Sequence, residues 1–465
     1  MTERATDNYE SGGSQEGPDF FIQTPQENEG VGELSPRRRL VEAELRRAKE
    51  KLSKAIIHDI SSFDLWLRQT KGPLEFIVGY YITKPDSGIE PIPQEESLPR
   101  LRGHRQTMAQ IGLENLPPEF TLIDARLGSI DTYFEEQEKL KRGEPKTILT
   151  DYAQAVDLFT PRLIPQKDID DIREEEILGG LRRLGYAFTP NSEQSVRMAL
   201  AVYHKGNQLK SKESIEYNYW RSAKRYRHQL SQAIGQELSS VKYDIVWKDA
   251  DAFWKGYERV EEGGNYLWLN ENERHMGEYD HAIVETYALH EDLHMAQASL
   301  IASEIRGRRL DPAVGIVPSI GPDAYLLEGL AQTVGDLAEY DMTPDTKLGI
   351  GLYRLEKRAL ANGIQYVEGG ATIDEVAHDL RKYIPLKDID EIRKLLREAT
   401  TKPFERAYMI VYGISDYEFC QLRQKFGNGM KNVLLRELVT KLRTRDQIMR
   451  PTLNFEPLLG YEVGS

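Results

Sequence analysis

The segment YALHEDLHMAQAS, residues 287–299, contains a pair of histidines with an acid directly after the first. His290 and His294 are four residues apart, so on a helix they share one face, with Cβ atoms about 5–6 Å apart. Two imidazoles at this separation can bind one metal ion at about 2.0–2.1 Å each. Glu291 is turned about 100° around the helix and could activate a water on the open side of the ion. The pattern also fits two histidines buried in a helical core, and this alternative stays open.

A third candidate ligand lies 34 residues after His294, in the segment AYLLEGLAQTVGD, residues 324–336. Glu328 has an apolar helical setting there, and an unpaired carboxylate in such a setting is costly. A metal cation would remove that cost by pairing with the carboxylate. The small residues Gly329 and Ala331 allow this helix to approach a neighbouring helix closely.

Together, the segments HEDLH and LEGLAQTVGD resemble those of the gluzincin zinc metallopeptidases, and the likeness extends over residues 264–340. In that family the first helix carries H-E-x-x-H, and the second helix carries the third ligand, often as Glu-Gly-x-Ala. The resemblance implies that Zn²⁺ is bound by His290, His294 and Glu328, with Glu291 as the general base. It does not identify a subfamily.

The resemblance also implies a substrate-binding edge strand before the zinc helix, and the aromatic segment GNYLWLN, residues 264–270, is suited to that role. Related enzymes stabilise the oxyanion with a tyrosine or histidine from a later helix. Tyr408 and Tyr412, four residues apart in FERAYMIVYGISDYEFC, are the candidates for this catalytic role. Aromatic residues at helical spacing are more often part of a core, so that interpretation stays open too.

A histidine that binds a metal usually donates its second N–H to a carboxylate or a carbonyl group. Gluzincins often carry an acid for this purpose four residues after the glutamate ligand, whereas this chain has Gln332 at that position. Asp336, two turns after Glu328, is the acidic alternative. The competing interpretation of Asp336 is a solvated helix residue.

Helical periodicity dominates the chain, and strand-like segments are short. Residues 241–247 and 264–270 are aromatic and β-branched, which is typical of strands. The sequence therefore predicts a mainly α fold, with a zincin-like catalytic region that has a small β-sheet beside the H-E-x-x-H helix, and a helical N-terminal region. Helices are predicted at 41–69, 192–209, 214–240, 280–306, 323–340, 345–362, 372–383, 387–400 and 404–444.

Three regions are predicted along the 465 residues. Residues 1–35 are rich in polar residues and glycine and hold few large apolar side chains, which predicts a disordered tail. Residues 36–240 form the helical N-terminal region, and residues 241–465 form the zincin-like metallopeptidase catalytic region. A cleft between these two regions is the predicted substrate site.

The composition limits the kinds of molecule that we expect this protein to bind. The net charge of −14 argues against nucleic acid, and no apolar stretch reaches the length of a membrane helix. The one cysteine, Cys420, excludes a disulfide framework and a cysteine-rich zinc site, and it fits a reducing compartment. The N-terminus lacks the pattern of a secretory signal. We therefore expect a cytoplasmic protein that acts on a peptide or protein substrate, with no nucleic acid and no membrane as partner.

The predicted function is zinc-dependent hydrolysis of peptide or related amide bonds by a metal-activated water, with Glu291 as the general base. One alternative is a zincin-like scaffold or binding protein without activity. The intact Glu291 argues against a scaffold, because a structural zinc site needs no base and usually closes with a fourth protein ligand.

A second alternative is a di-iron carboxylate enzyme in a helical bundle, which needs two Glu-x-x-His pairs and two further carboxylates. Its residues would be Glu291, His294, Glu375, His378, Glu328 and Glu285. This hypothesis leaves His290 and the Glu-Gly-Leu-Ala context unexplained.

Overall fold

Most of the described chain is helical, because apolar residues recur at helical spacing along most of the sequence. The computed structural model describes residues 36–71, 77–85, 87–250, 256–261, 264–425 and 428–449. The helices are α1 (Pro36–Lys71), α2 (Gln94–Ile111), α3 (Glu119–Lys141), α4 (Leu149–Ala155), α5 (Gln166–Asp171), α6 (Gly179–Arg183), α7 (Glu193–Asn207), α8 (Lys212–Ile234), α9 (Glu273–Met276), α10 (His281–Arg306), α11 (Asp323–Leu337), α12 (Pro344–Glu368), α13 (Ile373–Leu380), α14 (Ile389–Thr401), α15 (Pro403–Lys425), α16 (Asn428–Thr440) and α17 (Arg445–Met449). The mainly α fold expected from the sequence is confirmed.

Five short strands of the described chain form one sheet. They are β1 (Val78–Tyr81), β2 (Asp244–Lys248), β3 (Gly256–Glu261), β4 (Gly264–Asn270) and β5 (Ile316–Pro318), in the order β2-β4-β3-β1-β5. Strand β4 is parallel to β2 and antiparallel to β3, and its alternation buries Leu267 and Leu269. Because β4 has a neighbour on each side, the expectation that residues 264–270 form an edge strand is wrong.

Helix α10 carries both candidate histidines and is buried along most of its length. The Asp280 side chain caps its N-terminus by accepting a hydrogen bond from the Ile283 N–H. Buried positions occur on every side of the helix, which is typical of a helix inside a core. It packs against α8, α11, α12, α16 and β3, so its side chains are held by neighbours in all directions.

The described residues from Lys49 onward form one compact unit, and those before it belong to a second unit. The predicted tail, residues 1–35, lies outside the described residues. The predicted division between residues 36–240 and residues 241–465 stays a prediction. None of the described helices is both long enough and apolar enough to cross a membrane.

Candidate metal centre

The two candidate histidines lie side by side on α10, with ring centroids 4.8 Å apart. His290 is 8% exposed and His294 is 1% exposed. Both Nε2 atoms approach the same carboxylate oxygen on α11, Glu328 Oε2, at 3.1 Å from His290 and 3.9 Å from His294. The structure therefore brings together the three residues that the sequence predicts as metal ligands.

The Glu328 carboxylate is buried, and its surroundings keep it ionised. Burial is the largest influence on its pKa and acts to raise it. The hydrogen bond and charge of His290, the charge of His294 and the hydrogen bond from Tyr408 outweigh burial and lower the pKa of Glu328 to about 2. At neutral pH the group is a carboxylate, which is the form that binds a metal cation.

The residue types at this position are those that bind zinc. Two imidazole nitrogens and one carboxylate oxygen are ligands that Zn²⁺ prefers when thiolates are absent. Ligand atoms around a tetrahedral zinc ion, each about 2.0–2.1 Å from the metal, lie roughly 3.4 Å from one another. The separations of 3.1 and 3.9 Å between Glu328 Oε2 and the two histidine nitrogens lie on either side of that value.

Glu291 lies within the same cluster. One of its carboxylate oxygens and one nitrogen from each of His290 and His294 all lie within 4.8 Å of one another, and the residue is 7% exposed. A group at this distance can act on a water bound beside the histidines. It can also serve as a fourth ligand, so this position is compatible with both roles.

The hydroxyl groups of Tyr408 and Tyr412 form a hydrogen-bonded chain that ends on Glu328. Tyr408 donates to Glu328 Oε1 at 2.7 Å, and Tyr412 donates to the Tyr408 oxygen at 3.0 Å. The sequence suggested either hydroxyl as an oxyanion donor. In the structure Tyr408 instead orients the candidate ligand, and Tyr412 orients Tyr408.

Neither Gln332 nor Asp336 contacts a histidine ring through the hydrogen bonds and ion pairs of the described residues. The Gln332 amide donates to the backbone oxygens of Glu328 and Tyr412, at 3.1 and 3.3 Å. Asp336 forms an ion pair with Arg354, so the expectation that its carboxylate orients a metal-binding imidazole is wrong. The buried Arg354 guanidinium also pairs with Asp416 at 3.0 Å, so it draws two carboxylates around one buried positive charge.

Glu285, Glu375 and His378, which a di-iron centre would also need, lie outside the cluster of His290, Glu291 and His294. Glu285 accepts a hydrogen bond from Thr343 at 2.7 Å. Glu375 and His378 are exposed, and Glu375 accepts a hydrogen bond from the Thr372 N–H at the start of α13. The second Glu-x-x-His pair is therefore absent from the cluster around His290 in the described chain.

A charged pair that the sequence did not reveal fixes α10 against α8. Asp292, the third residue of HEDLH, is 3% exposed and accepts hydrogen bonds from Arg227 Nε at 3.1 Å and from the Tyr243 hydroxyl at 2.6 Å. A buried carboxylate requires such partners. The signal in the sequence was an acid on an otherwise buried helix, although nothing in the spacing identified its partners.

A second buried ion pair fixes the start of α11, the helix that carries Glu328. Arg126 from α3 donates from Nε and Nη2 to the two carboxylate oxygens of Asp323, at 2.7 and 2.8 Å. Its Nη1 donates to the backbone oxygens of Val314 and Ile316, at 2.8 and 3.0 Å. One guanidinium therefore connects α11 to the residues that precede this helix in the chain.

Two further aromatic side chains lie beside the histidines and were not predicted from the sequence. The ring of Tyr353, from α12, lies 6.0 Å from the ring of His290, and the ring of Tyr80, from β1, lies 6.3 Å from that of His294. Both come from elements far from the H-E-x-x-H helix in sequence. Local spacing carries no signal for such contacts.

Comparison with known proteins gives no family assignment, since no family model and no curated protein matches the chain. Among solved structures, the chain is similar to "the putative lipoprotein from Colwellia psychrerythraea", with a TM-score of 0.48 and 12% sequence identity. The match covers 75% of this chain and 64% of that chain, so this chain spans less than two thirds of that protein's length. A likeness at this level identifies neither a family nor an activity.

Proposed function

We propose that this chain is a zinc-dependent hydrolase of peptide or related amide bonds. The observation that carries the proposal is the approach of two Nε2 atoms, from His290 and His294, to one buried oxygen of Glu328. These three residues would hold the ion. Glu291, in the same cluster, would act as the general base.

Each residue has a separate task in this proposal. A zinc ion held by His290, His294 and Glu328 would polarise the scissile carbonyl group and lower the pKa of a water molecule. Glu291 accepts a proton from the attacking water and later delivers it to the leaving amine. Tyr408 keeps the Glu328 carboxylate in one orientation through its 2.7 Å hydrogen bond. The buried surroundings exclude bulk water and strengthen these interactions.

The competing candidate is a structural zinc site in which Glu291 closes the coordination shell. The two functions differ in what removal of the Glu291 charge does. A fourth ligand contributes to metal affinity, whereas a general base contributes to rate. The amide of glutamine has nearly the same shape as the carboxylate and cannot accept the proton, so Glu291→Gln separates the two functions.

We expect Glu291→Gln to retain one zinc per chain and to hydrolyse peptides about 10²–10⁴-fold more slowly, because the proton acceptor is lost. His294→Ala should lose both the zinc and the hydrolysis. The measurements are metal content after dialysis and digestion of a mixed peptide library. Glu304→Gln, near the C-terminal end of the same helix, where the carboxylate pairs with Arg309, is the matched control and should behave as wild type.

Loss of zinc in Glu291→Gln would indicate a fourth ligand and a structural site. Zinc binding without cleavage of any peptide by the wild-type protein would leave the scaffold as the function. Full activity in Glu291→Gln would overturn the assignment of the base.

A further inference from the structure

Tyr353 stands beside the candidate metal centre with a hydroxyl group that forms no hydrogen bond to any other described residue. Its ring lies 6.0 Å from the His290 ring at an interplanar angle of 66°, and the side chain is half-buried. The hydroxyls of Tyr408 and Tyr412 are engaged by Glu328 and by each other. Of these three tyrosines, Tyr353 is therefore the one whose hydroxyl can donate to a substrate.

The packing of α12 on α10 places Tyr353 at this position. A Cβ atom at Gly349 would lie 2.7 Å from the carbonyl oxygen of Ala282, so glycine permits an approach that alanine does not. Further along both helices, Tyr353 meets His290. The close contact at Gly349 thus fixes the distance between Tyr353 and the histidine.

A cation and a second ring also contact the Tyr353 ring. The Lys357 ammonium lies 5.0 Å from the centroid of the Tyr353 ring and 5.1 Å from that of Tyr412. The two rings are 6.1 Å apart and nearly perpendicular, an arrangement that aromatic pairs prefer. Contacts of both kinds favour one ring orientation, which is the preorganisation that a catalytic donor needs.

We propose that Tyr353 is the oxyanion donor of the hydrolase, an inference that rests on the proposed function. As the water oxygen bonds to the carbonyl carbon, the π electron pair moves onto the carbonyl oxygen, and the Tyr353 O–H donates a hydrogen bond to it. The carbonyl double bond then re-forms, the C–N bond breaks, and the amine takes the proton held by Glu291. A donor aimed at the oxyanion contributes most at the first of these steps.

The test removes this hydroxyl and nothing else. With the peptide that the wild-type protein cleaves fastest, Tyr353→Phe should lower kcat by about 10²–10³, because one oxyanion donor is lost. KM should change by less than about threefold, and the zinc content should stay at one per chain. Tyr366→Phe makes the same deletion at a 46% exposed position of the same helix and should match wild type.

A second measurement does not depend on turnover. A phosphinic analogue of the cleaved peptide carries a charged oxygen where the oxyanion forms, so calorimetry should show it binding about 10²–10³-fold more weakly to Tyr353→Phe. Wild-type kcat and analogue affinity in Tyr353→Phe would overturn this inference and leave the proposed function standing. A comparable loss in Tyr408→Phe with zinc retained, and none in Tyr353→Phe, would assign the role to Tyr408. If wild-type protein cleaves no peptide, both proposals fail.

Discussion

A buried carboxylate between two imidazoles is the residue-scale feature on which the proposed chemistry depends. An unpaired charge at a position as buried as Glu328 would be strongly destabilising. The rings of His290 and His294 and the Tyr408 hydroxyl compensate it. The apolar setting of Glu328 was visible in the sequence, and it indicated a partner for this charge. Tyr408 supplies the remaining hydrogen bond, and the sequence identified it only as a candidate oxyanion donor.

At the same scale, the fold disfavours the ionised form of the Asp157 carboxyl group. Burial, as the largest cause, and then the charge of Asp446 raise its pKa from 3.8 to about 6, against the lowering effect of Arg445. The folded state therefore binds the proton more tightly than the unfolded state does. As pH rises from about 4 to 6 the unfolded state loses the proton first, so stability falls through this window and the loss persists above it.

Asp157→Asn should therefore raise the free energy of unfolding at pH 7.5. About 1–2 kcal/mol is expected, because the group is partly exposed and the full shift must be discounted for solvent screening. Asn suits the backbone of Asp157, where φ is 51°, so no strain is introduced. Urea unfolding at several pH values measures the difference, which should shrink as pH falls from 6 toward 4. A variant less stable than wild type at pH 7.5 would contradict the prediction.

At the scale of elements, the position of Glu328 depends on how α11 is held at two points. The Arg126–Asp323 ion pair fixes the start of the helix. Next to Glu328, Gly329 lies so close to α15 that an added Cβ would be 2.7 Å from the Phe419 ring and 2.8 Å from the Ser415 Cβ. The sequence predicted a close helix approach at Gly329, and the structure confirms it.

Gly329→Ala should destabilise the protein by about 1–3 kcal/mol. The fully buried Phe419 has no room to move, and overpacking of this kind costs more than the helix propensity that alanine restores. Urea denaturation with an unchanged slope gives the measurement.

The control for this variant is Gly103→Ala, within α2, where an added Cβ meets no atom within 4 Å. That substitution should stabilise the protein by up to about 1 kcal/mol, since alanine favours the helix. Equal effects at Gly103 and Gly329 would show that packing against α15 does not determine the outcome.

At the scale of the whole molecule, the helical content and many of the helix positions followed from periodicity, as at α10, predicted at 280–306 and observed at 281–306. The predicted helical region 404–444 contains α15 and α16 instead of one helix. Strands β1, β3 and β5 were not predicted. Strands β1 and β5, four and three residues long, are too short to show alternation.

The candidate site also contains some residues that could be predicted from the sequence and some that could not. His290, His294 and Glu291 could be predicted because helical spacing alone brings them together. Contacts between distant segments, such as that of Tyr353 with His290, depend on packing that one sequence does not encode locally. The wrong expectation for Asp336 has this origin too, since the competing guanidinium comes from another helix.

The most direct test of the account is to locate the metal. Crystals of the full chain with one equivalent of Zn²⁺ should give a single anomalous peak at the zinc absorption edge. We expect this peak about 2.0–2.2 Å from the Nε2 atoms of His290 and His294 and from a Glu328 carboxylate oxygen. A peak bound by other side chains, or no peak beside these three residues, would contradict it.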